Sequence, residues 1–232
     1  LGVAAAQVAF VMLPKVETRG DVDQACAVID EAVGQQGAWG PDHPMPVHVL
    51  IESPGAVSRV HDIAAHPRVQ SLSFGLMDFV SAHGGAIPAS AMGVQGQFEH
   101  PLVVRAKLEI ASAAHAHGKV PSHCVVTEFK DAAALTQAAT HANQRLGFTR
   151  MWSIHPDQVR PILAAFSPAQ DDVAHAVRVI EAALAADWAP VSVDAQLHDR
   201  ASYRYFWQLL ERAHATGAAL PESLQSFFTV SH

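Results

Sequence analysis

VHVLIESPG, residues 47–55, is an apolar run closed by one acid, Glu52, and then by the small turn-forming residues Ser53, Pro54 and Gly55. A run that is apolar almost throughout, rather than alternating, suits a strand covered on both faces, as strands of a parallel sheet are. The same design recurs in VAFVML (8–13), VQSLSFG (69–75), VPSHCVV (120–126) and RMWSI (150–154). Helical periodicity fills the intervals at 21–33, 57–64, 101–117, 130–146 and 156–165. In the third of these, Leu102, Val103, Ala106, Ile110 and Ala113 share a face, while Gly118 and Gly147 stop the third and fourth. Repeated strand–helix units imply parallel strands joined by right-handed crossovers, and hence an α/β class.

The first strand runs into Pro14-Lys15-Val16-Glu17 and not into a glycine-rich phosphate fingerprint, which argues against a dinucleotide-binding sheet. Polar residues instead stand repeatedly at strand carboxyl ends: Lys15 and Glu17, Glu52, Asp78, Ser122 with His123, and His155. In a TIM (β/α)8 barrel those ends converge on one mouth, so that barrel is the expected fold. Five units cannot close eight strands, and the expectation is a barrel missing an N-terminal part. Residues 1–166 form the barrel part in this reading, and 167–232 a C-terminal helical extension. Ser167-Pro168 is expected to open a long helix striped by Val173, Val177, Ile180 and Leu184, followed by a second helix with Tyr203, Phe206, Trp207 and Leu210 on one face. That aromatic face is expected to pack against the barrel or a neighbouring subunit.

Composition narrows the function classes. The formal net charge of −7 is spread along the 232 residues without a basic cluster, which argues against nucleic acid as a partner. Cys26 and Cys124 lie in unrelated segments, so no disulfide framework or zinc site is signalled and a cytoplasmic location is expected. No apolar stretch reaches the ~18–20 residues of a membrane span, and the opening LGVAAAQ has no signal-peptide pattern and no initiator methionine, as expected of a fragment.

Glu52 and Asp78 end successive strand candidates. Neighbouring parallel strands lie ~4.8 Å apart, so both carboxylates would face one space, an oxygen-rich arrangement suited to Mg2+. The competing reading makes each acid a helix cap or a solvated charge. Ser53, Gly55 and Gly75 are small enough to let a ligand approach the backbone, and His155 stands where it could contact substrate or stiffen the turn at Pro156. The glycine- and alanine-rich stretch 84–97 is expected to be a mobile loop over the site. His115 and His117 end a helix and read as structural. His123 and Cys124 should point to opposite sides of a strand, which argues against a Cys–His nucleophile pair, and there is no GxSxG elbow.

Taken together, LPKVET (13–18), LIESPGAV (50–57), FGLMDF (74–79), GQFEHPLV (96–103), VVTEFKD (125–131), LGFTRMWSIHPDQV (146–159), AFSPAQDDVAHAVRVIEA (165–182) and VSVDAQLHD (191–199) resemble the HpcH/HpaI aldolase and citrate lyase β-subunit family, in family order and over nearly the whole chain. The resemblance implies that Glu52 and Asp78 hold Mg2+, and that the five strands are the fourth to eighth of the family barrel, the first three being absent. It implies a carbon–carbon lyase acting on a short 3-hydroxyacyl-CoA thioester. Alternatives are an aldolase acting on free 2-oxo acids through a pyruvate enolate, or a non-catalytic homologue. Asp199 matches the aspartate that relatives lay over a neighbouring subunit's site, and is the implied acid–base residue. A homo-oligomer, trimer or hexamer, follows from the same comparison. Ala195 and His198 depart from the family's DGKMID-like pattern, and Met77 stands where citrate-lyase-like members often carry glutamate, so Met77 is a candidate substrate-contacting residue beside Gly75, Ser53 and His155.

Overall fold

The computed structural model describes residues 7–34, 39–128 and 130–228, and the chain divides into two units, 1–166 and 167–232. In the first unit, β1 (Val11–Leu13), β2 (Val47–Ile51), β3 (Val69–Phe74), β4 (Val120–His123) and β5 (Arg150–Met151) form one sheet in the order β1-β2-β3-β4-β5. Every pairing is parallel. A sheet whose order never reverses is wound in one direction, which is how a barrel wall grows and how a doubly wound nucleotide sheet does not. β1, β4 and β5 are shorter than the apolar runs that announced them.

Strand parity separates the sheet's faces. Val47, Val49, Ile51 and Leu72 are fully buried in the main core with Ile63, Val103 and Ile110 from the helices. The opposite face is more polar: Ser73 is paired with Leu50 and with Ser122, and Ser122 with Arg150. There Phe10 stacks on His48 at 3.7 Å between ring centroids, His48 Nε2 lies 2.8 Å from Gln70 Oε1, and Trp152 Nε1 donates to Ser73 Oγ at 3.0 Å.

The helices of this unit are α1 (Arg19–Val33), α2 (Pro54–Ser58), α3 (Val60–Ala64), α4 (Leu76–Ser81), α5 (Pro101–Ala116), α6 (Ala132–Leu146) and α7 (Val159–Phe166). Thr18 and Asp21 close a capping box on α1, and Gly147, at φ 75, ends α6 in the left-handed conformation that glycine adopts freely. The periodic stretch 57–64 divides at Arg59, whose φ of −112 interrupts the helical path. The stretch 156–165 divides into a 3-10 turn, Pro156–Gln158, and α7.

Residues 84–97 run through two 3-10 turns, and Ile87, Ala91 and Gln97 among them are buried. One expectation about the end of β4 is corrected. His123 and Cys124 do not diverge, because β4 ends at His123, and Cys124 Sγ lies 3.8 Å from His123 Nδ1. Both belong to a polar cluster beneath α5. Lys107 Nζ donates to Gln97 Oε1 at 2.8 Å and lies 4.0 Å from the Phe98 ring centroid, while Cys124 Sγ donates to the same Gln97 oxygen at 3.2 Å. Burial pushes the Cys124 thiol up, and holds His123 well below its usual range.

Burial also lowers the Lys107 ammonium to about 8 from 10.5. Between those values the unfolded chain holds a proton that the folded protein has released, so Lys107 makes stability rise with pH, by on the order of 2–3 kcal/mol across the window. Urea melts of the wild type and Lys107→Met should therefore converge as pH rises from about 8 toward 10, with the variant the more stable at pH 7. A stability difference that does not move with pH would contradict this.

The second unit contains α8 (Gln170–Ala185), a hairpin of β6 (Val191–Val193) and β7 (Gln196–His198), α9 (Arg200–Ala215) and α10 (Glu222–Phe228). Ser167 and Pro168 do not open α8: Ala169 is its N-cap at φ −65 and ψ 147, and the chain stays extended until Gln170, with Asp171 and Asp172 in the first turn. Tyr203 and Leu210 are buried within this unit against Ala176, Val179 and Ile180 of α8, and Phe206 and Trp207 pack on the same cluster, so the aromatic face has an occupant inside its own unit. Among the described residues no helix is long and apolar enough to cross a membrane.

Candidate active site

The carboxyl ends of β1, β2 and β3 meet at Lys15. Its φ of 54 is left-handed, uncommon for a residue with a side chain, and sends its two donors to two different strand ends. The backbone N–H donates to Glu52 Oε1 at 2.7 Å, and Nζ donates to Asp78 Oδ1 at 2.9 Å. Glu52 follows the last residue of β2 and is buried, whereas Asp78, in the first turn of α4, keeps a side chain 55% exposed. The periodic stretches of the sequence mark no helix directly after β3, although a helix-cap reading of Asp78 allows one; α4 starts there at once and carries Asp78 in its first turn.

The environments separate the two acids. Burial pushes the Glu52 carboxyl up, opposed by the Lys15 N–H and reinforced by Asp78. The hydrogen bond from Lys15 Nζ holds Asp78 below the usual carboxylate range, and a direct interaction with Glu52 acts in the same direction. The outcome is a buried carboxyl held by the Lys15 backbone N–H and a solvated carboxylate held by the Lys15 ammonium.

Small residues make the approach possible. A methyl on Gly75 would stand 2.5 Å from Glu52 Cβ and 2.8 Å from Glu52 Oε2. One on Gly55 would stand 2.7 Å from Glu17 Oε2 and 2.8 Å from Arg59 Nη2. Those two atoms form an ion pair at 3.1 Å, and Arg59 Nε donates to the Glu17 carbonyl at 2.7 Å, tying the β1 end to α2. Ser53 is the N-cap of α2, its Oγ accepting from Ala56 N–H at 2.9 Å, and Met77 is half-buried beside Asp78. Gly75→Ala should lower turnover about 100-fold through displacement of Glu52 by a fraction of an ångström to an ångström. Circular dichroism should remain native, since Gly75 has φ −95, which alanine adopts without strain. Unchanged turnover would show that Glu52 has room to move.

Two other sequence-derived candidates, His155 and Asp199, make local caps. His155 caps the 3-10 turn, its Nδ1 accepting from Asp157 N–H at 3.3 Å. Asp199 belongs to the second unit and caps α9: its Oδ1 accepts from Ala201 N–H at 3.0 Å, and its own N–H donates to Ser202 Oγ at 3.0 Å. The helix-cap reading of Asp199 therefore describes this conformation.

Among the described residues no group of three or more His, Cys, Asp or Glu side chains could hold a metal ion. Two carboxylates nevertheless fit Mg2+, which is commonly held by one or two protein carboxylates with water and substrate oxygens completing the octahedron. Glu52 Oε2 lies over the space left by the absent Gly75 side chain, and Asp78 is solvated. Lys15 and Glu17 were legible as polar strand-end residues but not as partners of Glu52 and Arg59. Arg59 carried no signal, because its partner is 42 residues away.

Residues 1–156 match the family model described as HpcH/HpaI aldolase/citrate lyase. A citrate lyase structure from Burkholderia xenovorans LB400 superposes with a TM-score of 0.82 at 49% identity, covering 95% of this chain and 68% of that one. Protein CitE from Mycobacterium tuberculosis, in complex with magnesium, acetoacetate and coenzyme A, superposes at 0.66 with 24% identity, covering 89% and 68%, and supports the fold alone. The L-malyl-CoA/beta-methylmalyl-CoA lyase of Cereibacter sphaeroides is 29% identical over 76% of this chain, and the malyl-CoA/beta-methylmalyl-CoA/citramalyl-CoA lyase of Chloroflexus aurantiacus is 27% identical over 94%. The chain spans 57% of the former enzyme's length and 66% of the latter's. The parallel α/β sheet is accordingly TIM-barrel-like and similar to that of the citrate lyase β subunit. With its residues 1–156 matched by the family model and its fold shared with a solved citrate lyase at 49% identity, the chain belongs to the HpcH/HpaI aldolase/citrate lyase family.

Proposed function

We propose that this protein is a Mg2+-dependent carbon–carbon lyase that cleaves or forms a short 3-hydroxyacyl-CoA thioester. The observation that carries the reading is the meeting of Glu52 and Asp78 across Lys15 at the carboxyl ends of successive parallel strands. The names of its relatives, malyl-CoA and citramalyl-CoA lyases, supply the substrate class.

Cleavage of a 3-hydroxyacyl thioester needs a base for the hydroxyl proton, stabilisation of the enolate that departs, and an acid that returns a proton to its carbon. Mg2+, when bound, neutralises charge developing on substrate oxygens. Glu52 and Asp78 are assigned as its protein ligands. Gly75 and Ser53 leave room for the substrate beside them, and Met77 and His155 are assigned to substrate contact. Asp199 is assigned the acid–base role.

The five strands correspond in this reading to the fourth to eighth of an eight-stranded barrel, with the 167–232 unit as its helical extension. A cytoplasmic homo-oligomer, trimer or hexamer, belongs to the same proposal, and two free, buried cysteines suit a reducing compartment. The test is an assay with Mg2+ on a panel of malyl-, citramalyl- and citryl-type CoA thioesters and free 2-oxo acid aldols. Release of acetyl-CoA is expected. Release of pyruvate from a CoA-free substrate alone would move the protein to the aldolase reaction, and no turnover of any substrate would overturn the proposal.

A further inference from the structure

We infer that Lys15 is a resident counter-ion, one that occupies the Asp78 side of the metal position in the metal-free protein and must let go of it when a divalent cation enters. The inference rests on the reading that Glu52 and Asp78 are the metal ligands, and it adds what those ligands do without metal.

Two carboxylates brought together repel each other, and Glu52 loses hydration as well. Among the charges acting on Lys15 the carboxylates are Asp78 and Glu52, while Glu17, two residues along, is engaged by Arg59. The Lys15 ammonium is therefore directed to the pair. Its left-handed backbone disfavours any residue with a Cβ, and two hydrogen bonds, at 2.7 and 2.9 Å to different strand ends, hold it there. The two bonds have different fates. Lys15 N–H binds Glu52 Oε1, and Oε2 lies over Gly75, so this bond orients Glu52 and can persist with metal present. Lys15 Nζ holds Asp78 Oδ1 from a side chain that is 71% exposed, on a flexible stem that can swing into solvent. A divalent ion near Asp78 would also repel the ammonium.

Lys15 thus offsets the repulsion between the two carboxylates at the cost of metal affinity. Isothermal titration of the EDTA-treated full chain with MgCl2 and with MnCl2 should show Lys15→Met binding either ion about tenfold more tightly than the wild type, a shift of the size that one unit charge beside a divalent ion produces in a hydrated setting. Lys15→Gln, which keeps a neutral donor, should shift in the same direction. In EDTA, Lys15→Met should melt below the wild type, and this difference should disappear in an Asp78→Asn background. Equal or weaker metal binding by both variants, with the wild type binding and Glu52→Gln not, would overturn the role of Lys15 and leave the metal site standing. No metal uptake by wild type or either Lys15 variant would overturn the metal site and this inference together.

Discussion

Glu52→Gln should reduce lyase turnover by about 1,000-fold or more, because Lewis-acid stabilisation of developing charge is worth several kcal/mol and each decade of rate about 1.4 kcal/mol. The substitution is conservative where structure is concerned. The glutamine amide keeps an oxygen to accept the Lys15 N–H at the position of Glu52 Oε1. It also removes a buried carboxyl that burial and Asp78 both push up, so thermal stability should hold or rise slightly. Asp78→Asn should lower turnover comparably while removing the anionic partner of Lys15 Nζ. The measurements are steady-state turnover, Mg2+ titration and melting temperature on the same preparations. Lost turnover with unchanged Mg2+ affinity would assign the two acids a role other than holding metal, and retained turnover would remove them from the active site.

Asp199→Asn should lower turnover on the order of 100- to 10,000-fold, the usual contribution of a positioned general acid or base, while leaving Mg2+ affinity unchanged. The cap observed here sets the control. Asparagine and serine serve an N-cap about as well as aspartate, whereas alanine there costs ~1 kcal/mol. Asp199→Asn and Asp199→Ser should therefore melt with the wild type, and Asp199→Ala somewhat lower, with all three equally impaired in turnover. If instead activity followed stability, falling only in Asp199→Ala, Asp199 would be a helix cap and nothing more. The hairpin before it is a tight turn in which Asp194 and Ala195 have φ 50 and 61, and Arg178 Nη2 and His175 Nδ1 lie 2.8 and 3.2 Å from Asp194 Oδ2.

His123 and Cys124 show where one-dimensional reasoning fails. Alternation along a strand separates neighbours only while the strand continues, and β4 stops at His123. Apolar content beyond the end of β4, in Cys124, Val125 and Val126, does not distinguish a strand from an irregular segment. Lys107 shows the same limit in a helix. Periodicity put Val103, Ala106 and Ile110 on the buried face, but a lysine at 107 reads as solvated, and it is buried because Gln97 and Phe98 from the preceding turn fold over it. Ser167-Pro168 matched a helix start by composition, yet the helix begins where Asp171 and Asp172 can face its N-terminus.

The sequence by itself determined that the strands are parallel, that they take the order of the chain, and that Glu52 and Asp78 stand at successive carboxyl ends. These follow from near-neighbour rules: burial on both faces writes an unbroken apolar run, and a helix between two strands supplies the crossover that parallel pairing needs. What only the tertiary structure decided is how the acids meet. Lys15 lies 37 residues from Glu52 and 63 from Asp78, and its left-handed backbone, which points one donor at each, has no signature in the letters around it. The same holds for Gly75, whose missing side chain matters only because β2 delivers Glu52 against it. Contacts between distant segments depend on the path of the whole chain, whereas strand and helix patterns are written in consecutive residues.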